Sequence, residues 1–368
     1  MCVKKIFVNG FRNIKHAVID LKDKINVFYG LNAQGKTNLI EAIYLCAMGR
    51  SVRTNIESEL INFDELNASI KINFSESYDN NLESININLY RDQKKDIYIN
   101  NNKINKLGEL FGKFPVVIFS PEDLKLIKAN PSVRRKFMDT EICQVNKIYY
   151  YELKQYYKAL RHRNAFLKNI SSNIFNKLSD SEKQMFDVWD TELINHGVKI
   201  INKRQEFIYK INKYAGDIYS HITNHKEKLN IIYKPNVTQE NFDKKLKSHR
   251  DYDIYLKSTS SGIHKDDLLF EINNKQAKTF GSQGQQKTIA LALKLAEINL
   301  IYNTIKRHPV LLLDDILSEL DESRRNFLID YIKDLQVLLT SSDSKDLLKK
   351  IFVNAKFFLV DSGIFFSE

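Results

Sequence analysis

INVFYGLNAQGKTNLIEAIYL, running from Ile25 to Leu45, decides the fold of this chain. Ile25 to Tyr29 is an apolar strand. Gly30-Leu31-Asn32-Ala33-Gln34-Gly35-Lys36-Thr37 follows, and a helix-compatible pattern comes after it. That is the phosphate-binding loop in the setting it requires, between a strand and a helix. Two glycines let backbone N–H groups wrap a phosphate chain without Cβ clashes. Lys36 would neutralise β- and γ-phosphates, the Thr37 hydroxyl would bind Mg²⁺, and the helix N-terminus would face the anion. ATP with Mg²⁺ is therefore the expected ligand pair, and the expected fold class is α/β.

Two further stretches fit this reading. In HPVLLLDDILSELD (His308 to Asp321), Val310 to Leu313 make a buried strand with Asp314 at its C-terminal end, where α/β sheets place ligand chemistry. Asp314 is expected to hold Mg²⁺ through water, and Asp315 to polarise the attacking water as a general base. In TFGSQGQQKTIALAL (Thr279 to Leu293), small polar residues give way abruptly to an apolar helix. A Ser282-Gln283-Gly284-Gln285 loop at a helix start offers donors for an anion. Gly30 to Thr37 already serves the chain's own phosphates, so this loop is expected to cap the γ-phosphate held by a second copy. An ATP-dependent homodimer follows from that expectation.

The order of loop, helix and acidic strand resembles the ABC-type ATPases, whose signature is usually Leu-Ser-Gly-Gly-Gln. Here Gly281 replaces the leucine and Gln283 the first glycine, while Ser282, Gly284 and Gln285 remain. Ser318 to Asp321 falls where that family has its D-loop, at the dimer seam. A switch histidine, usual after the last core strand of transporter ATPases, is replaced by Thr340 to Ser342.

Bulk properties set the surroundings. The chain has 368 residues, 43% hydrophobic and 27% charged, which are globular values. A net charge of +11 favours an anionic partner such as nucleic acid. Cys2, Cys46 and Cys143 lie far apart and form no C-x-x-C pair, which argues against a zinc site or a disulfide framework. The opening MCVKKIFVNGF lacks the apolar core of a signal peptide, and no run reaches about 18 apolar residues, so a cytoplasmic location with no membrane span is expected.

Along the chain the texture changes twice. ASIKINF, SININLY and IYI alternate as strands separated by Asn-rich turns, which is antiparallel hairpin chemistry. From about 130 to 224 the spacing becomes helical, with Tyr150, Leu153, Tyr157 and Leu160 expected on one buried face. The expected organisation is a discontinuous ATPase head at 1–129 and 251–368, a mixed sheet with an antiparallel β subdomain. A mainly helical lobe at 130–250 is inserted into it.

The resemblance narrows on six segments: GFRNI (from Gly10), GRSVRT (from Gly49), FSPEDLKLIKANPSVRRKFMD (from Phe119), GIHKDDL (from Gly262), GSQGQQKTIALALKLAEI (from Gly281) and LLLDDILSELDESRR (from Leu311). In this order and over nearly the whole chain, they resemble the RecF family of bacterial recombinational-repair proteins. That resemblance implies an ATP-dependent dimer that closes on double-stranded DNA at gaps and single-strand junctions. It implies work with RecR and RecO to load recombinase, with slow, DNA-stimulated hydrolysis releasing the dimer. It also implies that Arg12 and Asn13 lie near the phosphates. Arg134, Arg135 and Lys136 are candidate DNA contacts or simply a solvated cluster. Two readings stay open beside this one: another SMC-like head, or a DNA clamp with negligible hydrolysis.

Overall fold

The computed structural model describes residues 1–76, 81–170 and 179–368. The strands are β1 (Cys2–Phe11), β2 (Ile14–Asp20), β3 (Ile25–Tyr29), β4 (Asn67–Ser75), β5 (Glu83–Tyr90), β6 (Asp96–Ile99), β7 (Asn102–Lys103), β8 (Val116–Phe119), β9 (Leu229–Lys234), β10 (Asp267–Ile272), β11 (Lys275–Gln276), β12 (Val310–Asp314), β13 (Val337–Ser341), β14 (Lys356–Asp361) and β15 (Ile364–Ser367). The helices are α1 (Lys36–Met48), α2 (Pro131–Val145), α3 (Lys147–Asn169), α4 (Asp180–Ile222), α5 (Phe242–Ser248), α6 (Arg250–Leu256), α7 (Ala277–Phe280), α8 (Gln283–Ile305), α9 (Glu322–Ile332) and α10 (Lys345–Ile351).

The chain divides into two units, the first formed by Met1–Lys125 with Lys287–Glu368. This unit holds two six-stranded sheets. One is antiparallel, in the order β2-β1-β4-β5-β6-β7. It alternates as its sequence does: Ile70, Ile72 and Phe74 are buried on one face, with Lys71 and Asn73 opposite. The other sheet runs β15-β14-β3-β13-β12-β8 and is parallel except for β15. Its central strands are continuous apolar runs such as Val310–Leu313, the pattern of strands covered on both faces. α1 touches strands of both sheets and buries eleven of its thirteen residues. It is a core helix, and its near-complete apolarity follows from that position.

The second unit is Leu126–Gln286. It is longer than the expected lobe at 130–250, and residues 251–286 belong to it rather than to the head. The reason is β pairing and buried charge. β10 pairs antiparallel with β9, forming a three-stranded sheet β11-β10-β9, and Asp266 forms a buried ion pair with Arg204 of α4 at 2.7 Å. The lobe is therefore helical with a small sheet. Residues 171–178 of the expected lobe lie outside the described residues.

Two buried arginines organise this unit. Arg163 of α3 donates to Asp190 at 2.8 Å, to Asp253 at 2.7 Å and to the Thr259 hydroxyl at 2.9 Å. Arg204 reaches Asp139 at 2.8 Å, the Asp266 carboxylate at 2.7 Å and the Ile263 carbonyl at 2.8 Å. Burial opposes the Arg204 charge, but Asp139, Tyr149, Tyr233 and Asp266 hold its pKa well above the usual value.

These networks rotate α3 relative to the face read from spacing. Its buried face carries Tyr149, Glu152, Tyr156, Ala159, Leu160, Arg163 and Leu167, while Tyr150, Leu153 and Tyr157 are only half-buried. Apolar periodicity misplaces the face because two charged side chains, Glu152 and Arg163, point inward. His264 is also packed away: burial pushes its imidazole down to about 4, and it bridges the Tyr156 hydroxyl at 2.9 Å and the Thr259 carbonyl at 3.0 Å. Among the described residues no helix is long and apolar enough to cross a membrane.

Candidate functional site: a phosphate-binding cleft

β3, β13 and β12 are adjacent and parallel, so their C-terminal ends open together. There lies a cleft of about 350 Å³ lined by Asn13, Asn32, Ala33, Gln34, Gly35, Lys36, Thr37, Asn38, Arg53, Asp315 and Thr340. The loop from Gly30 to Gly35 joins β3 to α1. Glycine is required at both ends. Gly30 has φ +147, and a Cβ there would stand 2.4 Å from the Val360 carbonyl oxygen; Gly35 has φ +111, and its Cβ would meet Asn13 Oδ1 at 2.8 Å. The loop is braced from outside, since Ser362 N–H donates to Gln34 Oε1 at 2.6 Å and Gly363 N–H to the Gln34 carbonyl at 2.8 Å.

Lys36 is 6% exposed and donates to the carbonyls of Gly30 at 2.6 Å and Leu31 at 2.8 Å. Burial lowers its pKa, partly offset by Asp315 and Asp314. A cation kept at a phosphate loop by two neutral carbonyls is poorly compensated until an anion arrives. Leu31 itself is exposed and takes part through its backbone.

On the opposite wall the Thr37 hydroxyl donates to Asp314 Oδ1 at 2.9 Å, and Thr340 Oγ1 reaches the same oxygen at 2.7 Å. A hydroxyl beside a carboxylate is an all-oxygen donor set of the kind that suits Mg²⁺. Asp315 follows with φ +50, the left-handed region that Asp tolerates better than most residues. Its N–H bonds the Thr340 carbonyl at 3.2 Å and Oγ1 at 3.0 Å, which fixes the turn and leaves the carboxylate lining the cleft. Burial raises its pKa, against the Ser342 backbone N–H and Lys36, so it is more basic than an exposed aspartate.

The expected N-terminal pair divides. Asn13 lines the cleft and accepts from Asn38 Nδ2 at 2.8 Å. Arg12 does not line it. Its guanidinium forks onto buried Glu41 at 3.0 and 3.1 Å and donates to the Glu59 carbonyl at 2.9 Å, which commits its donors elsewhere. Glu41 also accepts from Ser51 and Arg53, so this carboxylate holds the 50–54 loop against α1. Arg53 is the residue sequence reading missed: it lines the cleft and donates to Asn38 Oδ1 at 3.0 Å. The GRSVRT segment was the available signal.

The signature segment belongs to the second unit. Ser282 is exposed and caps α8 reciprocally with Gln285: Gln285 N–H donates to Ser282 Oγ at 3.2 Å, and Ser282 N–H to Gln285 Oε1 at 2.8 Å. Gln285 Nε2 also reaches Glu227 at 2.7 Å. Gln283 is exposed and Gly284 half-buried. Asp321 caps α9, accepting from Arg324 N–H at 2.9 Å, and Ser318 donates to the Asp315 carbonyl at 2.9 Å, tying that turn to the cleft. Of the basic cluster, Arg134 is a correction. It is 3% exposed and forked onto Asp267 at 2.6 and 2.9 Å, a structural pair unable to reach DNA. Arg135 donates to the Asp266 carbonyl at 2.7 Å, and Lys136 is exposed.

Residues 2–364 match the RecF/RecN/SMC N terminal domain. The DNA replication and repair protein RecF of Lachnospira eligens is 41% identical over 365 residues, 99% of this chain and 98% of that one. That of Clostridium beijerinckii is 43% identical, with 99% and 98% covered. The chain belongs to the RecF family. A solved structure described as the recombination mediator protein RecF-ATP in the RecFOR pathway superposes with a TM-score of 0.89 at 34% identity, covering 100% of this chain and 97% of that one. An Smc head bound to the C-winged helix domain of ScpA shares the fold at a TM-score of 0.57 and 16% identity. The head is thus of the ABC ATPase type seen in the RecF family.

Proposed function

We propose that this chain is an ATP-operated DNA clamp of recombinational repair and replication restart. Two copies close when each donates its signature loop to the triphosphate held by the other. The observation that carries this reading is a division of labour. The cleft has a full set of groups for phosphates but, among the described residues, no second helix N-terminus in its lining, while Ser282 presents an exposed, pre-capped one on α8. Ser282 and the N–H groups of Gln283 and Gly284 would meet the partner's γ-phosphate.

The roles follow from the chemistry. The N–H groups of Asn32 to Thr37 wrap the β-phosphate, and Lys36 leaves its carbonyls for β- and γ-oxygens. Arg53 supplies a further cation at the cleft mouth. Thr37 and Asp314 would hold Mg²⁺, which neutralises charge on the transferring phosphate when bound. Asp315 takes the proton of the attacking water, and its raised pKa suits that task. Ser318 and Asp321 border the seam. Slow hydrolysis stimulated by DNA then opens the clamp. Gapped duplex DNA is the proposed substrate surface, and RecR with RecO the proposed partners, because the RecF relative is described as part of the RecFOR pathway. The three cysteines are buried and form no disulfide, which fits work in the reducing cytoplasm.

Asp315→Asn provides the test, since it keeps the shape of the site and removes the base. With ATP this variant should sediment as a dimer, and as a monomer with ADP or without nucleotide. A variant that stays monomeric in saturating ATP would overturn the proposal.

A further inference from the structure

Helix α3 carries a stripe of cations with no counter-charge. Lys147, Lys154, Lys158, Arg161 and Lys168 are all exposed, and steps of seven, four, three and seven residues keep them on one face. Exposed Tyr151 lies among them. The one acidic residue of α3, Glu152, is buried on the opposite side and pairs with His196 and Lys199. Among the described residues, none of the five cations has an ion-pair or hydrogen-bond partner.

Neighbouring α4 makes the comparison. It is also lysine-rich, but three of its five lysines are matched three or four residues away, Lys183 to Asp180 at 2.9 Å and Lys203 and Lys210 both to Glu206 at 2.8 Å. Lys199 pairs with Glu152 at 2.9 Å, leaving exposed Lys213. α4 is an ordinary solvated helix surface. If α3 were another, its exposed face would carry acids too. Instead the charge is left uncompensated along a helix whose other side is locked by Tyr149, Tyr156, Leu160 and the buried Arg163 pairs.

We propose that this face of α3 is a docking surface for the phosphate backbone of duplex DNA. This deepens the reading above, on which it rests. The stripe from Lys147 to Lys168 is about 32 Å long at 1.5 Å per residue, close to one turn of duplex. A rigid rod of that length suits a duplex. Tyr151 alone gives too little aromatic surface for the base stacking that single strands use. The contacts are to phosphates and carry no sequence preference.

The test is the full chain carrying Lys154→Gln, Lys158→Gln and Arg161→Gln together, titrated onto a fluorescent 30-base-pair duplex across a salt series with ATP present. Binding should weaken at least tenfold, and the slope of log K against log salt should become shallower by about 2.7, roughly 0.9 per lost phosphate contact. The charge-keeping triple Lys154→Arg, Lys158→Arg and Arg161→Lys should give the wild-type values of both. Lys203→Gln with Lys210→Gln should change neither. ATP binding should be unaltered in all, which separates this claim from that of the cleft. Wild-type duplex binding with an unchanged slope in the glutamine triple overturns the surface alone. No duplex binding by the wild-type chain overturns the clamp reading with it. Preference of the wild-type chain for anionic phospholipid vesicles over duplex would also overturn it.

Discussion

Lys36→Ala should bind ATP about 100-fold more weakly or worse, and should lose any ATP effect on DNA binding. The size follows from what is removed. Hydrogen bonds to charged groups contribute about 1.5–3 kcal/mol each, and loss of two such contacts to phosphate oxygens is at least about 3 kcal/mol, or two decades in affinity. Stability should move the other way. Lys36 is buried with only carbonyl partners and a lowered pKa, so the unliganded chain should melt no lower after the substitution, and ATP should then raise its melting temperature much less than in the parent. Calorimetric titration and thermal melts measure both. Near-parental affinity would remove Lys36 from the site.

Asp266→Ala should be the most damaging single change in the second unit, about 3–5 kcal/mol. Asp266 is fully buried and accepts from Arg204 at 2.7 Å, from the Asn236 N–H at 2.8 Å and from the Tyr233 hydroxyl. Its removal leaves a fully buried guanidinium with Asp139 as its remaining carboxylate, and strands two other donors. Because Asp266 ties β10 to α4 and β9, exchange protection of amides in β9 and β10 should fall first. Hydrogen exchange by mass spectrometry reads this directly. A change under about 1 kcal/mol would show that water replaces the lost carboxylate, and the network would not be what holds residues 251–286 to this unit.

The turn between β3 and α1 and the acidic end of β12 were legible because each is local. A strand, a turn and a helix start are encoded within some fifteen residues, and the sheet then has only to bring β3, β13 and β12 side by side. Thr340 joins Asp314 and Asp315 through this packing, and the hydroxyl falls where the switch histidine of transporter heads is absent. What was not legible depends on pairing between distant residues. Arg134 reads as a surface cation until Asp267, far along the chain, folds against it. Arg12 reads as a phosphate ligand until Glu41 claims its guanidinium. Arg163 and Glu152 turn α3 because their partners lie on α4 and beyond, and that rotation is also what leaves the basic stripe facing solvent. Charge patterns in sequence show how many cations a helix has; only the fold shows which are already neutralised.

The central claim is that a site is completed by two copies of the chain, and mixing defective copies tests it most directly. Lys36→Ala removes the phosphate contact and Ser282→Arg blocks the signature loop, so each protein alone should hydrolyse almost no ATP. In an equimolar mixture half of the dimers are mixed, and each mixed dimer has one intact site out of two, so roughly a quarter of the parental rate should return for a symmetric pair. A mixture as inactive as its components would contradict action across the dimer.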